Sequence, residues 1–306
     1  MPRLSIAIAL IACIGTVLTP LPADAQLTQD QMQRIQAAMP EQASAAPRQP
    51  RKLLIWNTPF MDESPHKGYT IPQSEYAFKI MGDKTGAYQA SVSDDPVMLL
   101  PDNLKQFDAI LLNNANGPWI RPKEEILPKL KQYASTQDEA EQFLRKSFLQ
   151  YISDGGGLFA FHHAIGGNNQ WPEFKELIGA GYWGHPWNEE VGVKLDAPGD
   201  PLLAVFQGNN FWIADEIFQF KEPYSREKVR VLLSLDVANT NMTVPWIHRK
   251  DSDFALAWVK QVDQGRVFYC AIGHRTEIWW NQTILKFYLD GLQFVMNDLD
   301  SPTDPK

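Results

Sequence analysis

The chain reads as an α/β protein built on a doubly wound, mostly parallel sheet with antiparallel edge strands in its C-terminal half. Three observations lead there. Apolar runs alternate with helix-like stretches between residues 52 and 161, the pattern of strands joined by covering helices. The run Leu158-Phe159-Ala160-Phe161 holds no polar residue, as in a strand buried on both faces. Beyond Val191 the strand-like runs follow one another closely.

The elements justify themselves in order. Residues 26–51 are rich in Gln, Ala and Pro and read as a linker with a short helix over Thr28–Met39. Leu53–Trp56 is a first buried strand. A helix over Ser74–Met81 follows, with Pro72 near its start. Tyr88–Val92 and Asp108–Asn113 are the second and third strands. Glu124–Tyr133 and Glu139–Ile152 read as helices, the latter carrying Phe143, Phe148, Leu149 and Ile152. Leu158–Phe161 is the fourth strand, and Trp171–Ile178 a short helix. Strands are then expected at Val191–Leu195, Phe211–Ile213, Val229–Leu235, Phe254–Val259 and Val267–Ala271. A closing helix over Ile284–Met296 is apolar enough to pack on the sheet. The order fits a flavodoxin-like domain over residues 52–299, with a tail at 300–306. No internal repeat is evident.

With 306 residues, 44% of them hydrophobic, the chain can enclose a large core. A net charge of −8 argues against nucleic acid as a partner, which needs a basic footprint. There is no Walker loop, no dinucleotide glycine fingerprint and no Gly-x-Ser-x-Gly elbow, so no nucleotide cofactor and no serine hydrolysis are expected. Residues 1–25 read as an export signal: Arg3, the mostly apolar Leu4–Leu18, and Ala23-Asp24-Ala25 as the cleavage site before Gln26. The apolar run falls short of the ~20 residues of a membrane span. Leu10-Ile11-Ala12-Cys13 resembles a lipoprotein box, which makes an anchor at Cys13 the minor alternative. After cleavage only Cys270 remains, so no internal disulfide is expected, and the mature protein is placed in the periplasm or outside the cell.

Candidate chemistry gathers at strand ends. In a parallel sheet, ligands bind outside the carboxyl ends of the strands. Gly155-Gly156-Gly157 and the fourth strand lead straight into His162 and His163. Neighbours on a strand point to opposite faces, so one is expected in the cleft and the other under a helix, unless the backbone turns. Gly184-His185-Pro186-Trp187 holds a histidine on a constrained turn, with Trp183 and Trp187 offering apolar faces for a sugar ring. Asp215-Glu216 interrupts an apolar run. Either it pairs with Arg226 or Arg230, or its apolar setting raises a carboxyl toward neutrality for acid–base work. Gly273-His274-Arg275 follows another strand end, with Trp279 nearby. His66 could line the same mouth, and His248 reads as a surface residue. No His-Glu-x-x-His or cysteine pair is present, yet ligands dispersed in sequence can converge in space.

These segments together resemble the ThuA-like family, named for trehalose utilisation, over about Lys52 to Leu299. The resemblance rests on Leu53–Trp56, Gly156–His162, Trp171–Phe174, Gly184–Trp187, Asp215–Phe220, Val229–Asp236 and Gly265–His274. It implies a fold like that of class I glutamine amidotransferases and a role in sugar catabolism, particularly on glycosides oxidised at carbon 3. His162 falls where the amidotransferase nucleophile would sit, so glutaminase activity is not expected. His185, Glu216 and His274 fall on the family's other recurring polar positions. The chain departs from relatives at His163 and at Ile165-Gly166-Gly167, where some carry an Asp. The expected catalytic set is His162, His185, Glu216 and His274, which could equally hold a divalent metal ion. His163, Trp183, Trp187, Asp215, Arg275 and Trp279 are expected to bind substrate. The reaction expected is removal of the carbon-2 hydrogen and elimination of the anomeric substituent, with water then adding, or else hydrolysis. His162 or Glu216 would be the base, His185 or His274 the acid, and a metal ion or Arg275 the enolate stabiliser. A non-catalytic sugar-binding domain and a keto-sugar isomerase are the alternatives.

Overall fold

The computed structural model describes residues 27–57, 70–167 and 170–305. The export signal, Cys13 and His66 lie outside the described residues. In chain order the elements are α1 (Gln29–Ala38), β1 (Lys52–Trp56), α2 (Ile71–Thr85), β2 (Gln89–Ser93), α3 (Pro101–Leu104), β3 (Ala109–Leu112), α4 (Leu127–Leu130), α5 (Gln137–Ser153) and β4 (Gly157–Phe161). There follow α6 (Pro172–Ile178), β5 (Gly181–Tyr182), β6 (Trp187–Leu195), β7 (Phe211–Ile217), β8 (Phe220–Lys221), β9 (Arg230–Leu235), β10 (Ala255–Val262), β11 (Gly265–Cys270) and α7 (Gln282–Val295).

Among the described residues, nine strands form one sheet in the order β2-β1-β3-β4-β11-β10-β9-β6-β7. The first five are mutually parallel and reproduce the flavodoxin-like order, with β11 as the fifth strand. The remaining four continue the sheet antiparallel. Alternation along each strand feeds two cores. Leu53 and Ile55 of β1, and Phe159 and Phe161 of β4, join α1, α2 and α7. Leu54, Trp56, Leu158 and Ala160 join α5 and α6 on the opposite face.

Helix ends follow local chemistry. Thr28 with Gln31, and Thr136 with Glu139, form capping boxes that start α1 and α5. The side chain of Asn281 caps α7. The expected helix over Glu124–Tyr133 does not form as one piece. It divides into a 3-10 turn at Glu124–Ile126 and the single turn α4, because Pro128 has no N–H and its ring conflicts with the carbonyl four residues back. β7 runs four residues beyond the expected end, so Asp215 and Glu216 lie within the strand rather than after it.

The expected linker is strapped down. The N–H groups of Ser44 and Ala45 donate to Gln293 Oε1, and Gln293 Nε2 donates back to Ala45 O. Arg51 is buried between Asp298, at 2.7 Å, and Asp108, at 2.8 Å. Burial opposes its charge, but the two carboxylates outweigh that and raise its pKa further. Replacing Arg51 by Met would leave the buried Asp298 carboxylate without its cation, at a cost of about 3 kcal/mol. Chemical denaturation of R51M measures it; an unchanged midpoint would show that the strap does not contribute to stability.

Candidate functional site

Strand β4 ends at Phe161, and the backbone turns at once into a 3-10 turn over His162–Ile165. His162 takes a positive φ of 46°, uncommon for a side chain branched at the ring. The turn seats its buried ring against Phe218, centroids 4.4 Å apart. Nδ1 lies 2.9 Å from Ala271 O, at the end of the neighbouring β11. A carbonyl only accepts, so Nδ1 carries the proton and Nε2 the lone pair.

Glu216 on β7 supplies the facing group. His162 Nε2 stands 3.3 Å from Glu216 Oε2, and His274 Nδ1 stands 3.7 Å from the same oxygen. The two imidazoles also face each other, His274 Nδ1 lying 3.2 Å from His162 Nε2. His185 approaches from the other side, its Nε2 3.8 Å from Glu216 Oε1. Side-chain exposure grades outward from buried His162 and Glu216 to His274 at 22% and His185 at 31%. The four expected catalytic residues therefore meet at the carboxyl edge of the sheet.

Two neighbours of Glu216 hold the loops that carry these histidines. Asp215 is buried and accepts the N–H groups of Gly273 at 2.6 Å, His274 at 3.2 Å and Arg275 at 2.7 Å. Burial pushes its carboxyl up, against the pull of His162 and the three N–H groups. Gly273 has a φ of +145°, and a Cβ there would come within 2.7 Å of Phe161, so only glycine lets the loop approach β4 this closely. Gln219, also buried, accepts the N–H groups of His248 and Arg249 and donates to Trp246 O. Its own backbone N–H donates to Gly184 O and its carbonyl accepts from Trp183 N, the two residues just before His185.

The expected substrate-binding set divides. Trp187 is fully buried, donates to Asn241 O and packs edge-on against Phe254. Trp279 is fully buried among Phe78, Phe161 and Tyr288. Neither offers a face to a ligand, and both are corrected to core residues. Asp215 is likewise a structural acceptor rather than a substrate contact. Arg226 and Arg230 pair with Asp196, Asp253 and Asp200, so of the two readings of Asp215-Glu216 the salt bridge to those arginines is not the one formed. The Arg275 guanidinium bonds Asn188 O and Oδ1 through Nε and Nη2. His163 turns inward, its N–H on Asn114 Oδ1 and its ring 5.3 Å from that of Tyr182. Trp183 remains partly exposed and stacks on His248 at 5.1 Å.

Tyr182 is the residue that sequence reasoning missed. Its hydroxyl is hydrogen-bonded to His185 Nδ1. Burial, with a smaller contribution from Glu216, pushes its phenol up to about 12, so it stays protonated. The signal was its place three residues before His185, legible only once β5 pairs with β8 and turns the ring inward.

The carboxyl of Glu216 does not behave as its apolar neighbours led one to expect. Burial pushes it up, but the close approach of His162 and the positive charge that it, His274 and His185 carry when protonated outweigh burial and hold it at about 2. The surrounding imidazoles thus favour the carboxylate over the neutral acid. Oε2 is buried and makes no hydrogen bond among the described residues; His162 Nε2 approaches it off the line of one. Two lone-pair atoms facing at that distance call for a positive charge between them, either a proton on Nε2 or a cation. Ligand atoms of His162, Glu216 and His274 all lie within 4.8 Å of one another, and two nitrogens with one carboxylate oxygen suit a divalent transition ion. Cys270, buried in β11 with its thiol pushed up to about 12 by burial, is no nucleophile.

The family model of ThuA, described as trehalose utilisation, matches residues 52–295. No curated protein matches the chain. Among solved structures, the chain is similar to a ThuA-like protein of Bacteroides uniformis ATCC 8492, at 21% identity and a TM-score of 0.61, over 82% of this chain and 94% of that one. It is similar also to a ThuA-like protein of Parabacteroides merdae ATCC 43184, at 15% identity and a TM-score of 0.50, over 84% of this chain and 94% of that one. At these identities the likeness bears on the fold.

Replacing Asp215 by Asn leaves one carbonyl oxygen for three buried N–H donors and turns an amide NH2 toward them. The expected loss is about 2 kcal/mol of stability, net of the relieved burial of charge. Thermal unfolding of D215N checks it, and a variant as stable as the parent would remove Asp215 as the anchor of the His274 loop.

Proposed function

The chain belongs to the ThuA family, and from that premise we propose that it is an exported carbohydrate-active enzyme that cleaves 3-keto-glycosides by elimination followed by hydration. One observation carries the reading. Three histidines from three separate loops converge on one ionised carboxylate at the sheet's carboxyl edge, with His185 and His274 open to solvent. Such a set serves proton transfer and charge stabilisation, the two needs of chemistry next to a carbonyl.

The roles follow from burial and charge. His162, Glu216 and His274 would hold a divalent ion, which would supply positive charge for an oxygen that becomes an enolate at carbon 3. Glu216 is too weakly basic to take a proton from carbon, and His162 is too deeply buried to reach one. The base is therefore His185, a change from the role expected from sequence. In the tautomer whose Nδ1–H donates to Tyr182, Nε2 carries the lone pair and takes the hydrogen from carbon 2. The C–H electron pair forms a carbon 2–carbon 3 double bond as the carbonyl pair moves onto the carbon-3 oxygen. That pair then returns to re-form the carbonyl and expel the anomeric oxygen, which leaves as the alcohol after gaining a proton from water. The hydroxide left by that water adds to carbon 1 of the new carbon 1–carbon 2 double bond while carbon 2 recovers its proton from His185, which releases the free 3-keto sugar and restores the neutral imidazole.

Localisation follows the sequence. The charged start, apolar run and small-residue cleavage site support export to the periplasm or beyond. N-terminal sequencing of the mature protein is expected to begin at Gln26.

The test is incubation of the mature protein with 3-keto-trehalose, with and without added divalent metals, followed by product analysis. Cleavage to glucose and a 3-keto sugar is expected. Removing His185 by substitution to Ala should lower kcat by about 10²–10⁴-fold. Glu216→Gln should lower both the rate and the bound metal, measured by elemental analysis. Intact substrate under every metal condition would overturn the assignment, and rearrangement without release of glucose would make the protein an isomerase.

A further inference from the structure

Trp246 has no part in the cluster described above, yet it is the most exposed large apolar residue among those described, at 65%, ahead of Trp212 at 57% and Trp183 at 38%. Three observations single it out. It is next to the base: its ring stands perpendicular to that of His185, centroids 6.3 Å apart. Trp212 lies four residues before Glu216 on β7, about 13 Å along the strand at ~3.3 Å per residue, and Trp183 has one face covered by His248. Its backbone is also held in a conformation it would not choose. Trp246 has a φ of 71°, an outlier for a bulky side chain. Gln219 maintains it: the buried amide donates to Trp246 O at 2.5 Å and accepts the N–H groups of His248 at 2.8 Å and Arg249 at 3.2 Å. The same glutamine's backbone grips the His185 turn through Gly184 O and Trp183 N. One residue, through its side chain and its backbone, thus ties the loop of an exposed indole to the segment that carries the base.

A lone exposed indole is ordinary, but one held at an outlying φ beside a site residue is the kind of strained position that clusters at ligand clamps. Resting on the reading of the site as one for 3-keto-glycosides, we propose that Trp246 is the stacking platform for the leaving-group sugar, the ring joined to the oxidised glucose through its anomeric oxygen. The C–H face of a pyranose is flat, apolar and of indole size, while its hydroxyl rim stays in solvent. A ring bonded to the carbon next to the one that loses its proton to His185 comes to lie beside His185, which is where Trp246 stands. Trp246 is then a specificity-determining residue. It favours disaccharides over glycosides with small alkyl leaving groups.

The experiment compares 3-keto-trehalose with methyl 3-keto-glucoside, using the mature full chain and its Trp246→Ala and Trp246→Phe variants. The ratio of kcat/KM for the disaccharide over the methyl glycoside is expected to fall about tenfold in W246A, the size of one stacking contact, and to recover in part in W246F. Equal losses on both substrates would mark Trp246 as merely structural and overturn the proposal. A second readout is independent of turnover. Titration with plain trehalose, which has no carbon-3 ketone, should perturb the tryptophan fluorescence of the parent, and that change should vanish in W246A. If no keto-glycoside is cleaved yet this signal is present, the platform stands and the reaction assignment fails. If cleavage occurs with an unchanged ratio and no Trp246-dependent signal, the reaction stands and the platform fails.

Discussion

The site depends on five consecutive residues, Asp215 to Gln219, whose polar side chains are each committed in a different direction. Asp215 gathers three N–H groups and so fixes the His274 loop. Glu216 presents its carboxylate to three imidazoles. Phe218 packs against the rings of His162, His163, Tyr182 and His185. Gln219 joins the His185 turn to the Trp246 loop. A buried carboxylate or amide is costly unless its hydrogen-bonding capacity is met. Here the donors that meet it come from the very loops that must be held, so stability and site geometry rest on the same bonds. The segment can do this because β7 is an edge strand of the antiparallel half, ending where the carboxyl ends of β4 and β11 open.

The charge balance follows from that placement. Left alone in its buried position, Glu216 would be driven toward the neutral acid. Three imidazoles reverse the sign and keep it ionised. Glu216 therefore serves as a fixed anion, and a fixed anion beside nitrogen lone pairs is a cation site before it is a base. Proton traffic passes to His185, the member closest to solvent, whose other nitrogen is held by a phenol that does not ionise. The division of labour comes from depth: the inner members hold charge, and the outer one exchanges protons.

The fold was legible because its signals are local. Strands β1, β3 and β4 declared themselves by apolar runs, and the longer helices by their apolar period, whereas β2, Gln89–Ser93, is polar and half exposed and α3 carries too few residues for a period. The four clustered residues were legible because strand ends in parallel sheets are where ligands bind, and His162 and His274 follow β4 and β11 directly. What stayed hidden depends on the third dimension. Trp187 and Trp279 sit beside site residues in sequence, but alternation on β6 and the turn before α7 send both rings into the core. Tyr182 and Gln219 look like ordinary members of aromatic runs until β5 and β8 pair. The stretch 40–51 looked like a linker because its bonds are made to residues some 250 positions away, around Gln293 and Asp298.

The position of His162 shows what an imidazole does at a turn of this kind. A strand-to-turn junction with positive φ projects its side chain sharply out of the sheet, and related folds place a reactive Ser or Cys at such a turn. An imidazole there reaches further than a hydroxyl or thiol. It bridges the width of the sheet edge, anchoring Nδ1 on Ala271 O while Nε2 arrives at Glu216. Tyr269 closes the arrangement by donating to the carbonyl of His162 itself, so both ends of the strained residue are tied to β11 and the residue that follows it. A residue held at both ends suits a ligand or an electrostatic support, whose atom must stay in place. It does not suit a nucleophile, whose atom must travel to its target. The strain at φ 46° thus fixes a nitrogen, and the mobile part of the chemistry falls to the exposed His185 turn.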